Sequence, residues 1–116
     1  MKSTKPELYL SLYKLTKYLY HIHHNTRKEY KYTLGQSALD LSWKCLDFVI
    51  LANSSPNKEK VPKICQASAV FDQLKLRLRM AHELKLISHK QYSYIIQQNE
   101  EIGKMLSGWL KWAKKQ

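Results

Sequence analysis

Apolar residues recur at helical spacing in four segments of the chain, at about 5–24, 34–53, 57–86 and 89–114. Steps of three and four residues place such side chains on one face of an α-helix. The stripe of the first segment consists of Leu8, Leu12, Leu15, Leu19 and Ile22. The stripe of the last segment consists of Tyr92, Ile95, Asn99, Ile102, Leu106, Trp109 and Ala113. The pattern predicts four amphipathic helices.

Start signals precede three of these segments. A Ser or Thr followed three residues later by Glu or Gln has the spacing of a capping box, in which the two side chains satisfy free N–H groups of the first turn. The pairs are Thr4 with Glu7, Thr33 with Gln36, and Ser88 with Gln91. Residues 53–60 have loop composition, and Pro62 suits the first turn of the next helix. We predict one all-α domain over residues 1–116, an antiparallel up-down four-helix bundle.

Two glycines interrupt the last predicted helix. Gly103 and Gly108 each cost about 1 kcal/mol relative to alanine in a helix interior. Glycine in such a position usually permits a close approach of another segment. We therefore expect close packing at both residues.

The second and third predicted helices each carry two apolar stripes. One stripe faces the bundle core and consists of Leu34, Ala38, Leu41, Cys45, Phe48 and Ala52, then Ile64, Ala67, Phe71, Leu74, Leu78 and Ala81. The other lies roughly opposite and includes Leu39, Trp43, Leu46 and Ile50, then Leu76, Met80 and Leu84. A chain this short covers one side of each helix, so the second stripe predicts an interface between copies in a homo-oligomer. The alternative is a second helix that is central and covered within its own chain.

Positive charge dominates the composition. Lys and Arg total 20 against 9 acids, a formal net charge of +11. Such an excess favours a polyanionic partner, namely nucleic acid, an acidic protein or an anionic membrane, over a merely soluble basic domain.

Basic residues are clustered at two places. Lys75 and Arg79 lie one turn apart on one side of the third predicted helix, with Arg77 on the other side. They can contact an anionic partner, or they can pair with nearby acids such as Asp72 and Glu83. A second basic group, Arg27, Lys28 and Lys31, forms a linker that is either a phosphate-contact patch or a solvated turn.

Tyrosines flank the stripe of the first helix at Tyr9, Tyr13 and Tyr20. Tyrosine commonly forms a half-buried border between core and solvent. Stacking on nucleobases is the alternative, and it would require a basic groove beside the rings.

The sequence predicts a non-enzymatic protein without cofactor or metal. A zinc site requires ligands that converge on one point, and His21, His23 and His24 cannot all lie on the same face of a helix. Cys45 and Cys65 lie in apolar helical patterns, so we expect both to be buried free thiols of a reducing compartment. No phosphate-binding loop, nucleophile elbow or HExxH motif occurs. No signal peptide or membrane span is predicted, which favours a cytoplasmic location.

Three stretches of the sequence resemble one family. They are KEYKYTLGQSALDLSWKCLDFVILAN at 28–53, FDQLKLRLRMAHELKLISHKQY at 71–92 and EEIGKMLSGWLK at 100–111. The family is that of four-helix-bundle proteins that includes the accessory variability determinants of diversity-generating retroelements. It also includes proteins encoded in bacterial 23S rRNA intervening sequences. The resemblance covers roughly residues 6 to 112 and depends on the order and spacing of the pieces.

The resemblance implies a homopentameric barrel with a positive surface and no catalytic activity of its own. Its implied partners are a reverse transcriptase and RNA or DNA, in a complex that makes error-prone cDNA and diversifies a target gene. By position, Lys75 and Arg79 are the first residues expected to contact these partners. Arg77, Arg27, Lys28, Lys31 and Lys104 are expected to contribute less.

Two rival functions remain open at this point. The chain can be an intervening-sequence type of bundle with a structural or RNA-associated role and no polymerase partner. It can also be a bundle that binds an acidic protein surface, with nucleic-acid binding incidental.

Overall fold

Four long helices make up most of the computed structural model, which describes residues 6–116. They are α1 (Pro6–His24), α2 (Gln36–Ser54), α3 (Lys60–Glu83) and α4 (His89–Lys114). No strand occurs in this range, so the prediction of an all-α, four-helix fold is confirmed. Thr4, part of the first predicted capping box, lies outside the described residues.

Neighbouring helices run antiparallel. The hydroxyls of Thr16, near the middle of α1, and Ser42, in the first half of α2, are hydrogen-bonded. His23, at the end of α1, lies beside Gly35, just before α2. The ring of His82, in the last turn of α3, stacks on Tyr92 in the first turn of α4, with centroids 4.3 Å apart. α2 packs most extensively on α3, and α1 also contacts α4. The helices therefore form an up-down bundle.

Helical periodicity predicts the core well in α1, α3 and α4, but only in part in α2. There Ala38, Cys45 and Ala52 are buried as predicted, Leu41 and Phe48 are half-buried, and Val49 is buried although it lies outside the predicted stripe. In α1 the buried stripe is Leu8, Leu12, Leu15 and Leu19. In α3 it is Ile64, Ala67, Phe71, Leu74, Leu78 and Ala81, and in α4 it is Ile95, Asn99, Ile102, Leu106, Trp109 and Ala113. Burial of these apolar side chains supplies the main free energy that holds the four helices together.

The start of α2 differs from the prediction. One α-helical turn at Lys28–Tyr30 and a π-helical segment at Lys31–Gly35 lead directly into α2. The predicted capping box of Thr33 and Gln36 does not form, because the chain is already helical there. The Thr33 hydroxyl instead donates to the Tyr30 carbonyl at 3.3 Å. The Gln36 amide donates to Asp40 at 2.9 Å. The box at the start of α4 is confirmed, since Ser88 and Gln91 exchange bonds of 3.1 and 2.9 Å.

Close packing at a glycine occurs at Gly35. A Cβ atom on Gly35 would lie 2.7 Å from Nδ1 of His23, near the end of α1. The expectation for Gly103 is wrong, because nothing lies within 4 Å of where its Cβ would be. Burial of the His23 ring lowers its pKa, and the nearby Lys31 charge acts in the same direction. The glycine therefore allows the π-helical segment to pack on α1 against a neutral imidazole.

A buried lysine joins α2 to α3. The side chain of Lys60 is 2% exposed, and its ammonium donates to the carbonyls of Ala52, Asn53 and Ser55 at 2.7, 3.1 and 2.8 Å. These carbonyls lie at the end of α2, where backbone donors become scarce, so the cation caps the helix. The Ala52 carbonyl also accepts the backbone N–H of Ser55 at 3.2 Å. Burial lowers the pKa of Lys60, and repulsion from Lys63 lowers it further.

Lys60→Met should destabilise the protein by about 1–3 kcal/mol, because the carbonyl groups at the end of α2 lose their shared charged donor. The free energy of unfolding from urea titration measures the effect. Lys58→Met, at an exposed position in the same connection, is the control and should change it by less than about 0.5 kcal/mol. Equal effects of the two substitutions would contradict the capping role of Lys60.

Candidate nucleic-acid and partner interface

Lys75 and Arg79, the basic residues of α3 that are expected first to contact a partner, are paired with acids. Nζ of Lys75 lies 3.1 Å from the Asp72 carboxylate and 5.1 Å from the centroid of the Phe71 ring. Nε of Arg79 lies 3.3 Å from the Glu83 carboxylate. Both pairs are exposed, and exposed pairs contribute little to stability because water screens them. A phosphate or an acidic side chain can therefore replace either carboxylate.

Arg77 lies on the side of α3 that faces α2. Its guanidinium donates to the Ser37 hydroxyl and to the Gln73 carbonyl, each at 3.4 Å. Its side chain lines a groove with Leu34, Leu76 and Met80, which we call the α2–α3 groove. Lys75, in contrast, lines a groove between α3 and α4. The three basic residues of α3 thus do not form one continuous patch.

Arg27 is engaged at one end of the bundle. Its Nη2 donates to the Leu84 carbonyl at 3.2 Å, and its Nε lies 3.8 Å from the Glu29 carboxylate. The guanidinium also lies 5.4 Å from the centroid of the Tyr30 ring. This contact holds the segment before α2 against the end of α3. Arg27 therefore has a structural role besides any part it plays in binding.

Three other predicted lysines are less constrained. Lys28 and Lys104 are exposed, and Lys31 is half-buried. Among residues 6–116, none of the three takes part in an ion pair. These side chains are available to an anion without loss of an existing partner.

The contact between Arg27 and Leu84 adds further basic residues to this end of the bundle. Lys85 follows Leu84 directly, and Lys90 lies in the first turn of α4; both are exposed. Sequence analysis missed them because they lie far from Arg27 along the chain. The antiparallel order of the helices was the available signal, since it places the end of α3 beside the start of α2.

The predicted oligomer interface is corrected for two residues. Leu39 and Leu46 are each 2% exposed, so their own chain already buries them. The remaining five residues are more exposed: Trp43 40%, Ile50 45%, Leu76 59%, Met80 51% and Leu84 38%. The alternative interpretation, in which the second helix is central and covered within its own chain, therefore holds for Leu39 and Leu46.

Three exposed members of the stripe, Trp43, Leu76 and Met80, line two different grooves. Trp43 lies in a groove between α1 and α2, where its Nε1 donates to the Tyr20 hydroxyl at 2.9 Å. Leu76 and Met80 line the α2–α3 groove with Leu34. The stripe is thus not one face, because α2 separates its two parts.

The described range contains two free thiols and no cluster of potential metal ligands. No group of three or more His, Cys, Asp or Glu residues there could hold a metal ion. Cys45 is buried, and burial raises the pKa of its thiol to about 12, so it is unreactive. The prediction for Cys65 is wrong in one respect, since this free thiol is exposed. No helix in this range has the length and hydrophobicity of a membrane span.

Comparison with protein families identifies this arrangement. A family model described as bAvd-like, for bacterial accessory variability determinants, matches residues 8–113. The chain belongs to the bAvd-like family. The match runs from the first buried leucine of α1 to the last buried residue of α4, so it covers the whole bundle. An accessory role fits a bAvd-like protein. Neither a curated protein nor a solved structure matches the chain.

Proposed function

We propose that this bAvd-like protein is the accessory protein of a diversity-generating retroelement. It binds the reverse transcriptase of the element and its nucleic acid, and so supports error-prone cDNA synthesis and diversification of a target gene. The observation that carries the proposal is the family match over residues 8–113. The net charge of +11 supports a polyanionic partner.

The contribution of the protein is binding rather than catalysis. Lys75 and Arg79 contact phosphates or acidic side chains of the polymerase. These anions take the place of the carboxylates of Asp72 and Glu83, with which the two basic residues are now paired. Arg77, Arg27, Lys28, Lys31 and Lys104 provide further positive charge, with Lys85 and Lys90 added at the same end as Arg27. Contacts to phosphates position a nucleic acid without reading its sequence. The protein acts in the cytoplasm, where it increases the local concentration of template and polymerase.

The active form is a homopentamer. A closed ring of five copies needs a heterologous interface, in which one face of each copy meets a different face of the next. Leu76, Met80 and Leu84 supply exposed aliphatic surface on α3 for one face, and Ile50 on α2 contributes to the other. Trp43 is not included, because its indole is engaged with Tyr20 in the separate groove between α1 and α2.

Reversing the charge of Lys75 and Arg79 together should abolish co-purification with the reverse transcriptase of the element. The Lys75→Glu/Arg79→Glu variant places two acids beside Asp72 and Glu83, so the site would repel an acidic partner. The control is Lys114→Glu/Lys115→Glu, which makes the same change in net charge at exposed residues at the end of α4.

Each outcome of this co-purification is informative. Loss in the α3 variant with retention in the control supports the proposal. Retention in both variants would contradict the role of Lys75 and Arg79. Loss of polymerase binding with unchanged nucleic-acid binding would make the pair a protein-docking site.

The logarithm of the association constant for single-stranded RNA should fall linearly with the logarithm of salt concentration, because each phosphate contact releases counterions. The slope changes by about 0.7 for each contact on a single strand, so the α3 variant should show a slope smaller by about 1.4. Fluorescence anisotropy over a salt series measures both slopes. An affinity that does not respond to salt would exclude binding through phosphates.

A further inference from the structure

An aromatic groove runs between α1 and α2. Its volume is about 300 Å³, at the lower end of the range for small-molecule pockets. We call it the α1–α2 groove; it is lined by Tyr13, Thr16, Lys17, Tyr20, His21 and Trp43. The bundle core does not need these rings, because the leucine stripe of α1 already fills it.

The two central rings of the groove are held in place while they remain open to solvent. The indole N–H of Trp43 donates to the Tyr20 hydroxyl at 2.9 Å, which restricts both side chains. Trp43 is 40% exposed and Tyr20 47%. Tyr13 lies two turns before Tyr20 on α1, about 10 Å along the helix axis. The groove therefore presents aromatic rings at two positions along α1, one at Tyr13 and one at the pair of Tyr20 and Trp43.

The charge that lines these rings is positive. Lys17 lines the groove, and no Asp or Glu is among its described lining residues. Asp40 lies about one turn before Trp43, but it lines a separate groove and accepts a hydrogen bond from Gln36. Lys17 therefore makes the groove basic. The sequence had left base stacking open as one role of the tyrosines, on condition that such a groove existed.

We propose that the α1–α2 groove binds unpaired nucleobases of a single-stranded nucleic acid. The bases stack on Tyr13, Tyr20 and Trp43, and Lys17 contacts the phosphate between them. Rings beside cations form the usual platform for single strands, whose base faces are available to stack, unlike those of a duplex. A second copy of this chain is a poorer occupant, because the exposed aliphatic residues proposed for contacts between copies, Leu76, Met80 and Leu84, lie away from this groove.

This inference depends on the proposed nucleic-acid binding, but it concerns the bases and not the phosphates. The test compares oligothymidylate of about 12 nucleotides with an abasic chain of the same length and charge. The wild-type protein should bind oligothymidylate at least about fivefold more tightly than the abasic chain. Only oligothymidylate should quench the part of the tryptophan fluorescence that Trp43→Phe removes, because quenching requires a base in contact with the indole and the chain has two other tryptophans.

Substitutions in the groove should remove the preference for oligothymidylate and leave the affinity for the abasic chain unchanged. Tyr20→Leu/Trp43→Leu should bind both chains with the affinity that the wild type shows for the abasic chain. Tyr20→Phe/Trp43→Phe keeps the rings and should keep the preference. Tyr94→Leu is the matched control, since Tyr94 is 37% exposed but packs on Tyr18 at the other edge of α1. Should the leucine double variant not fold, Tyr13→Leu should lose part of the preference.

Other outcomes separate this inference from the proposed function. Equal wild-type affinity for the two chains, with normal salt dependence, would overturn base stacking and leave phosphate binding intact. Failure to bind either chain would overturn both. Preserved preference in the leucine variants would place the bases elsewhere. A change in the solution mass of the leucine double variant would make the groove an interface between copies, which also overturns the inference.

Discussion

The position of α2 between α1 and α3 is the constraint on which the other surfaces of this protein depend. Two neighbours cover α2, and they bury Leu39 and Leu46 as well as Cys45 and Ala52. The apolar residues of α2 occupy more of its circumference than two neighbours can cover. A groove with exposed apolar side chains lies at each edge of the helix, the α1–α2 groove with Trp43 and the α2–α3 groove with Leu76 and Met80 of α3.

The entry to α2 is constrained in the same way. The chain is helical from Lys28 and reaches α2 through a π-helical segment, which fits against α1 because Gly35 has no side chain to meet His23. Arg27 then holds this segment to the end of α3 through the Leu84 carbonyl. These two contacts set the end of the bundle at which Lys28, Lys31, Lys85 and Lys90 lie.

The sequence predicted best those helices that are apolar on one side. For α1 and α4 the periodicity alone identified the buried stripe, including the buried Asn99. For α2 it failed at Leu39 and Leu46, because each follows a core residue, Ala38 or Cys45, by one position. Spacing cannot decide how wide the buried sector of such a helix is. That width depends on the neighbouring helices.

Capping motifs in the sequence also could not be interpreted without the surrounding structure. Ser88 caps α4 as predicted because its own backbone is extended, whereas Thr33 cannot act as a cap within a chain that is already helical. The candidate surfaces depend on contacts between distant residues. Tyr20 meets Trp43 across 23 positions, and Arg27 meets Leu84 across 57. No local pattern reveals such pairs, so sequence could identify the basic and aromatic residues but not which of them lie together.

The proposal that this basic bAvd-like bundle acts as an assembly of copies is tested most directly by the mass of the protein in solution. Light scattering at moderate salt should give a mass near five times the 13.8 kDa chain. That result would make the exposed α3 surface of Leu76, Met80 and Leu84 the natural place for contacts between copies. A monomer of 13.8 kDa would contradict the pentamer and would leave this surface to a different partner.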